Sequence, residues 1–184
     1  MNFYSDDVIN HIIDNEAVED IIPMISLFRE DIYKLFYKYS HHVICPNYIE
    51  CLLQDESNKI AFRCIDTDFI LENCPSILIY HKDVSNKEIT YYILMICTKH
   101  KFKKHGYASA LLDDFIIYLN NIHKHAAYTI ILSSVESAVT FYESYGFKWT
   151  RESLINYPLL MQYEKYEEDK EYFILKYAST KIGV

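Results

Sequence analysis

The stretch Ile96-Cys97-Thr98-Lys99-His100-Lys101-Phe102-Lys103-Lys104-His105-Gly106-Tyr107-Ala108 decides how this chain folds. An apolar, β-branched run ends in it, a basic turn follows, and a pattern of helical period begins at about Gly106. The first N–H groups of a helix have no intrahelical acceptor and the helix dipole is positive there, so such a junction suits an anion. Gly106 lets the backbone come close to a phosphate, and Ala108 keeps the next position small. Lys99, Lys101, Lys103 and Lys104 gather positive charge in a chain whose net charge is −8. Taken alone, the segment also reads as a solvated loop before an ordinary helix.

Upstream, Glu88 to Thr98, Ser76 to Asp83 and Lys59 to Ile65 read as strands. The runs Ser76 to Asp83 and Glu88 to Thr98 are joined as a hairpin around Val84-Ser85-Asn86-Lys87. Downstream, Ala108, Leu111, Leu112, Phe115, Leu119 and Ile122 share one helix face, with Asp113, Asp114 and Asn120 facing away. Tyr128 to Leu132 is a strand again. Ser133 and Glu136 have the spacing of a capping box that starts a helix to about Tyr145, and Gly146 closes it in the left-handed conformation. Strands near Phe147 to Arg151 and Glu171 to Tyr177 flank a polar insert rich in tyrosine. Towards the N-terminus, Asp7 to Asp14 fits a strand or a helix. Pro23 suits a helix's first turn, and Ile25, Phe28, Ile32, Leu35 and Tyr39 make an amphipathic stripe. Pro46 opens a shorter helix through Leu53. The sum is an α+β chain with a mostly antiparallel sheet and one β-α-β crossover.

Composition narrows the function classes. At 184 residues, 51% apolar and 24% charged, the chain is expected to form one folded domain with a sizeable core. No apolar run approaches the ~20 residues of a membrane span. The start Met1-Asn2-Phe3-Tyr4-Ser5-Asp6-Asp7 is unlike a secretory signal, so a soluble, cytoplasmic protein is expected. Cys45, Cys51, Cys64, Cys74 and Cys97 are odd in number and show no CxxC spacing, which favours reduced thiols over disulfides or zinc. Neither His41-His42 nor His123-x-His125 has partners at metal-site spacing, so no metal is expected. The negative charge disfavours nucleic acid and leans towards a cationic acceptor.

The spacing Lys-x-x-Gly-x-Ala at Lys103 to Ala108 resembles the Gln/Arg-x-x-Gly-x-Gly/Ala signature of the GCN5-related N-acetyltransferase (GNAT) family. Ala138-Val139-Thr140-Phe141-Tyr142-Glu143-Ser144-Tyr145-Gly146-Phe147 is similar to that family's second motif, a helix carrying Phe/Leu-Tyr that closes at Gly-Phe. The two occur in the family's order, with a helix and a strand between them. The chain holds only three glycines, and two stand where these motifs demand glycine. The resemblance runs from about Ile89 to Phe147.

It implies the GNAT fold over residues 1–184, a splayed, mostly antiparallel mixed sheet with about four helices, and an N-acetyltransferase using acetyl-coenzyme A without a metal. The amides of Lys104, His105, Gly106, Tyr107 and Ala108 would hold the pyrophosphate, with Lys103 at the usual Gln/Arg position and Ser109 and Ser133 beside the cofactor. Ile96, Cys97 and Thr98 would pair with the pantetheine arm, where an amide polarises the acetyl carbonyl. Tyr142 would protonate the departing thiolate after direct attack by a primary amine, since a phenol near pKa ~10 suits that proton transfer. Cys97 lies near the acetyl position but reads as packing. Met95, Ile96 and Phe141 are bulky and favour acetyl over longer acyl groups. Val135 departs from the polar residue common in the family, and Ser133 or Ser134 could substitute. Freeing the lone pair of an alkyl ammonium costs about 4 kcal/mol at pH 7. Yet Tyr91 to Cys97 offers no carboxylate as a base, leaving Glu72, His81, Asp83 and Glu88 as candidates. The insert with Tyr157, Tyr163 and Tyr166 either covers the acceptor or is a surface hairpin. The acceptor class stays open among small amines, polyamines and peptide amines. A homodimer is compatible with the resemblance, and the alternative function is a non-catalytic acyl-coenzyme A binding module.

Overall fold

Six strands and four α-helices form from the described residues of this computed structural model, 46–63, 74–85 and 87–180 together with the helical Lys34. Several expectations lie outside the described residues: the elements at Asp7 to Asp14 and from Pro23 to Tyr39, and also His41, His42, Cys45, Cys64 and Glu72. The strands form one open sheet in the order β1-β2-β3-β4-β6-β5. Packing divides the chain into two compact units, Met1–Tyr80 with Met95–Tyr118, and His81–Leu94 with Leu119–Val184.

In the first unit, helix α1 (Pro46–Gln54) buries Ile49, Leu52 and Leu53. Strand β1 (Lys59–Arg63) pairs antiparallel with β2 (Ser76–Ser85), from Lys59↔Tyr80 to Arg63↔Ser76. The first five residues of β2 are all buried, which is why the sequence there is a continuous apolar run. After β3 (Glu88–Thr98) comes α2 (Tyr107–Ile122), which buries Leu111, Leu112 and Phe115. The Phe115 and Tyr80 rings lie 4.8 Å apart. An isolated helix of this length is marginal in water, whereas each such side chain contributes roughly 2 kcal/mol on burial, so the apolar stripe is what holds α2. Two positions depart from the expected helix faces. Ile122 is exposed, and Asp114 does not face solvent freely: it forms a hydrogen-bonded ion pair with the buried Arg63. Burial raises the Asp114 carboxyl and Asp113 adds to this, while Arg63 opposes it.

In the second unit, β3 pairs parallel with β4 (Tyr128–Ser134) from Ile89↔Tyr128 to Ile93↔Leu132, with α2 as the crossover. Strand β4 runs antiparallel to β6 (Phe173–Ala178), and β6 to the two-residue β5 (Lys148–Trp149). Tyr91, Ile93, Ile130, Leu132, Ile174 and Leu175 make the core. The expected capping box does not form. Ser133 stays extended opposite Ile174, and a 3-10 turn over Glu136–Ala138 without a side-chain cap leads into α3 (Val139–Glu143). The tyrosine-rich insert is not a hairpin: it holds a 3-10 turn (Leu154–Asn156) and α4 (Pro158–Tyr163), anchored by the buried Leu154 and Leu160. No helix among the described residues is long and apolar enough to cross a membrane.

Candidate functional site

In the first unit the junction after β3 is built by short backbone bonds. The Lys99 amide donates to the Pro75 carbonyl (2.9 Å), that of Phe102 to Lys99 (2.9 Å) and that of Lys103 to His100 (3.1 Å). The Thr98 hydroxyl lies 2.8 Å from that of Ser76, fixing the end of the strand. Lys104 and Gly106 take left-handed backbones, at φ 66° and 77°. The conformation is natural for glycine and costs about 1–2 kcal/mol for lysine. The first intrahelical bond of α2 runs from the Ala110 amide to the Gly106 carbonyl (2.9 Å), so the amides of Tyr107, Ala108 and Ser109 precede it.

These groups border a recess of about 370 Å³ lined by Thr98, Phe102, Lys103, Lys104, Gly106, Tyr107, Ala108 and Ser109. A Cβ added to Gly106 would meet nothing within 4 Å, so open space stands over it. Helix dipole, early amides and the exposed Lys103 and Lys104 together suit an anion such as a pyrophosphate. Lys99 differs from its neighbours in being 1% exposed, so the surface charge of the turn comes from Lys101, Lys103 and Lys104. His105 is exposed, its ring 6.2 Å from that of Tyr107. Ile96 and Cys97 sit upstream on β3 and do not line the recess; the Cys97 thiol is buried, 3.9 Å from the Thr98 carbonyl. Phe102 is the lining residue that the sequence did not single out. It packs edge-on to Tyr107 at 5.8 Å, and a lone aromatic among lysines was its only signal.

In the second unit, Tyr142 sits on α3 between Phe141 and Phe147, ring centroids 5.0 and 5.7 Å away. The helix ends in a Schellman arrangement: the Phe147 amide donates to the Tyr142 carbonyl (3.3 Å) and the Gly146 amide to Glu143 (3.0 Å), with Gly146 at φ 89°. Tyr142 is 7% exposed, and burial pushes its phenol well above the ordinary tyrosine value. Ser133 is half-buried on β4; the Ser134 hydroxyl donates to the Val135 carbonyl, and Val135 itself is exposed. Of the candidate bases, His81 and Asp83 are half-buried on β2 and Glu88 is exposed at the start of β3. Glu152, which the sequence did not bring forward, accepts a hydrogen bond from the Tyr157 hydroxyl. Burial and Glu152 push that phenol up to about 12. The His123 ring is hydrogen-bonded to Tyr91 (2.7 Å), and no group of three or more metal-ligating side chains occurs among the described residues.

Residues 78–175, more than half of the chain, match the family model of the acetyltransferase (GNAT) domain. The chain belongs to the GNAT family. It is accordingly an acyltransferase. Solved structures agree in fold. GCN5 of Tetrahymena is 10% identical with a TM-score of 0.56, covering 90% of this chain and 92% of its own. A GNAT-family acetyltransferase of Streptococcus pneumoniae is 12% identical, TM-score 0.51, with 84% and 95% covered. Naa50 of Arabidopsis thaliana, solved in complex with the bisubstrate analogue CoA-Ac-MVNAL, is 15% identical, TM-score 0.51, with 80% and 92% covered. Among curated proteins none matches this GNAT chain.

Proposed function

We propose that this single-domain GNAT enzyme moves the acetyl group of acetyl-coenzyme A to a primary amine by direct attack in a ternary complex. The observation that carries the reading is the recess at the start of α2, lined by Gly106, Tyr107, Ala108 and Ser109 together with the exposed Lys103 and Lys104. Main-chain donors from Lys104 to Ser109 hold the pyrophosphate, and Phe102 offers an apolar wall. The end of β3, Ile96 to Thr98, runs beside the pantetheine arm, and a backbone amide there polarises the acetyl carbonyl.

The free amine, its ammonium proton lost to solvent, adds to that carbonyl; the C–N bond forms as the C–S bond breaks, Tyr142 gives its proton to the sulfur, and the proton shed by the new amide nitrogen passes through solvent to restore the phenol. A phenol is protonated at neutral pH, and burial raises Tyr142 further above the ordinary tyrosine value. The same burial makes the phenol a weaker acid than an ordinary tyrosine, so the transfer works only to a thiolate that is itself taken out of water. The acidic net charge supports a cationic acceptor. Cys51, Cys74 and Cys97 are thiols, which fits work in the reducing cytoplasm where acetyl-coenzyme A is supplied.

The test is a panel of small amines, polyamines and peptides assayed by thiol release, with coenzyme A binding measured in parallel. At least one amine should be acetylated. Coenzyme A binding without turnover on any amine sinks the enzyme reading and leaves an acyl-coenzyme A binding module.

A further inference from the structure

Thr98 is the residue that β3 contributes to the wall of the recess in the first unit. Its hydroxyl oxygen lies 2.8 Å from that of Ser76, the first residue of β2, which is 0% exposed. The backbone ties the same two strand ends together, because the Lys99 amide donates to the Pro75 carbonyl (2.9 Å). The distance alone does not say which hydroxyl donates; burial does. Each hydroxyl carries one proton and can also accept. If Thr98 donated, the Ser76 proton would need a second acceptor where water cannot reach. Among the described residues, the Ser76 hydroxyl has Thr98 as its one hydrogen-bond partner. A buried donor left unpaired is costly, so Ser76 donates and Thr98 accepts. The proton of the half-buried Thr98 is then left for an acceptor in the recess.

We propose that the Thr98 hydroxyl donates a hydrogen bond to the pyrophosphate of coenzyme A, and that Ser76 is a positioning residue that sets the direction of this donor. The proposal rests on the reading of the recess as the coenzyme A site. The rest of the wall decides the kind of acceptor. Lys103 and Lys104 are exposed cations, and the early amides of α2 are donors, a set that suits a phosphate oxygen better than an amide carbonyl of pantetheine. Helix and lysines approach the anion from one side, and Thr98 approaches it from the strand. A hydrogen bond to a charged oxygen is stronger than a neutral one, and a hydroxyl already committed by a buried partner loses little freedom on binding.

Thr98→Val keeps the branched shape and removes the donor. Calorimetry should show coenzyme A affinity lowered about tenfold. Displacement by 3′-phospho-ADP, which keeps the pyrophosphate and lacks pantetheine, should weaken by the same factor. Thr98→Ser should recover most of the loss. Ser76→Ala leaves the Thr98 donor free to turn among its three staggered positions, and affinity should fall about threefold. Because Thr98→Val also strands the Ser76 hydroxyl, the double variant Ser76→Ala/Thr98→Val separates folding from binding. With both hydroxyls gone, its melting temperature should return towards wild type while affinity stays low. Affinity that returns with stability overturns the proposal, as does unchanged affinity in Thr98→Val or a loss confined to coenzyme A. Wild-type protein that binds neither compound overturns the coenzyme A reading as well.

Discussion

Gly106 and Gly146 take nearly the same left-handed backbone, φ 77° and 89°, yet one stands before a helix and the other closes one. Before α2, Gly106 lies in a loop whose following amides remain outside the intrahelical ladder, and space is open where its Cβ would be. After α3, Gly146 completes a Schellman bond pattern, and a Cβ there would come within 3.9 Å of the Tyr177 ring. The first glycine leaves donors for a ligand; the second uses them up within the fold. A left-handed glycine is therefore only half of a signature. Whether its neighbours' donors are consumed decides if it marks a site or a stop.

That contrast can be broken experimentally. The largest effect belongs to the segment that Gly146 stabilises: Tyr142→Phe should lower turnover about 10²-fold, the scale of a lost general acid. Coenzyme A affinity, read by calorimetry, should stay within about twofold, and equal losses in both would remove Tyr142 from the chemistry. Next comes Gly106→Ala. Alanine is strained in that left-handed backbone, its relaxation would re-aim the amides, and coenzyme A affinity should fall about tenfold, or ~1.4 kcal/mol. Smallest is Gly146→Ala, expected to cost about 1 kcal/mol of stability in a denaturant melt, with coenzyme A affinity unchanged. If Gly146→Ala weakened coenzyme A as much as Gly106→Ala, the distinction between an open and a consumed glycine would fail.

Much of this molecule was legible because its sequence is locally consistent. The strand from Glu88 to Thr98 was read to its observed ends, and Leu111, Leu112, Phe115 and Leu119 of the helical stripe are all buried. Glycine scarcity sharpened the two motifs. Other features depend on partners distant in sequence, and no local pattern could report them. Asp114 has the spacing of a solvent-facing residue, but Arg63 lies 51 positions away and claims it. Ser133 and Glu136 have capping spacing, but pairing with Ile174 holds Ser133 in the strand. Lys99 belongs by sequence to the basic turn, yet it is buried. Helix α4 spans six residues, too short for periodicity to speak, and Glu152 gains its interest only through Tyr157.

The thiols carry a practical consequence. Cys51 on α1 is exposed, whereas Cys74 and Cys97 are buried. A chromogenic trap for released coenzyme A will also label Cys51, giving an early rise stoichiometric with protein before any acceptor is consumed. Such a rise resembles the burst of an enzyme that parks its acyl group on cysteine. The two separate on dependence: a Cys51 signal persists without acetyl-coenzyme A, and an acylation burst does not.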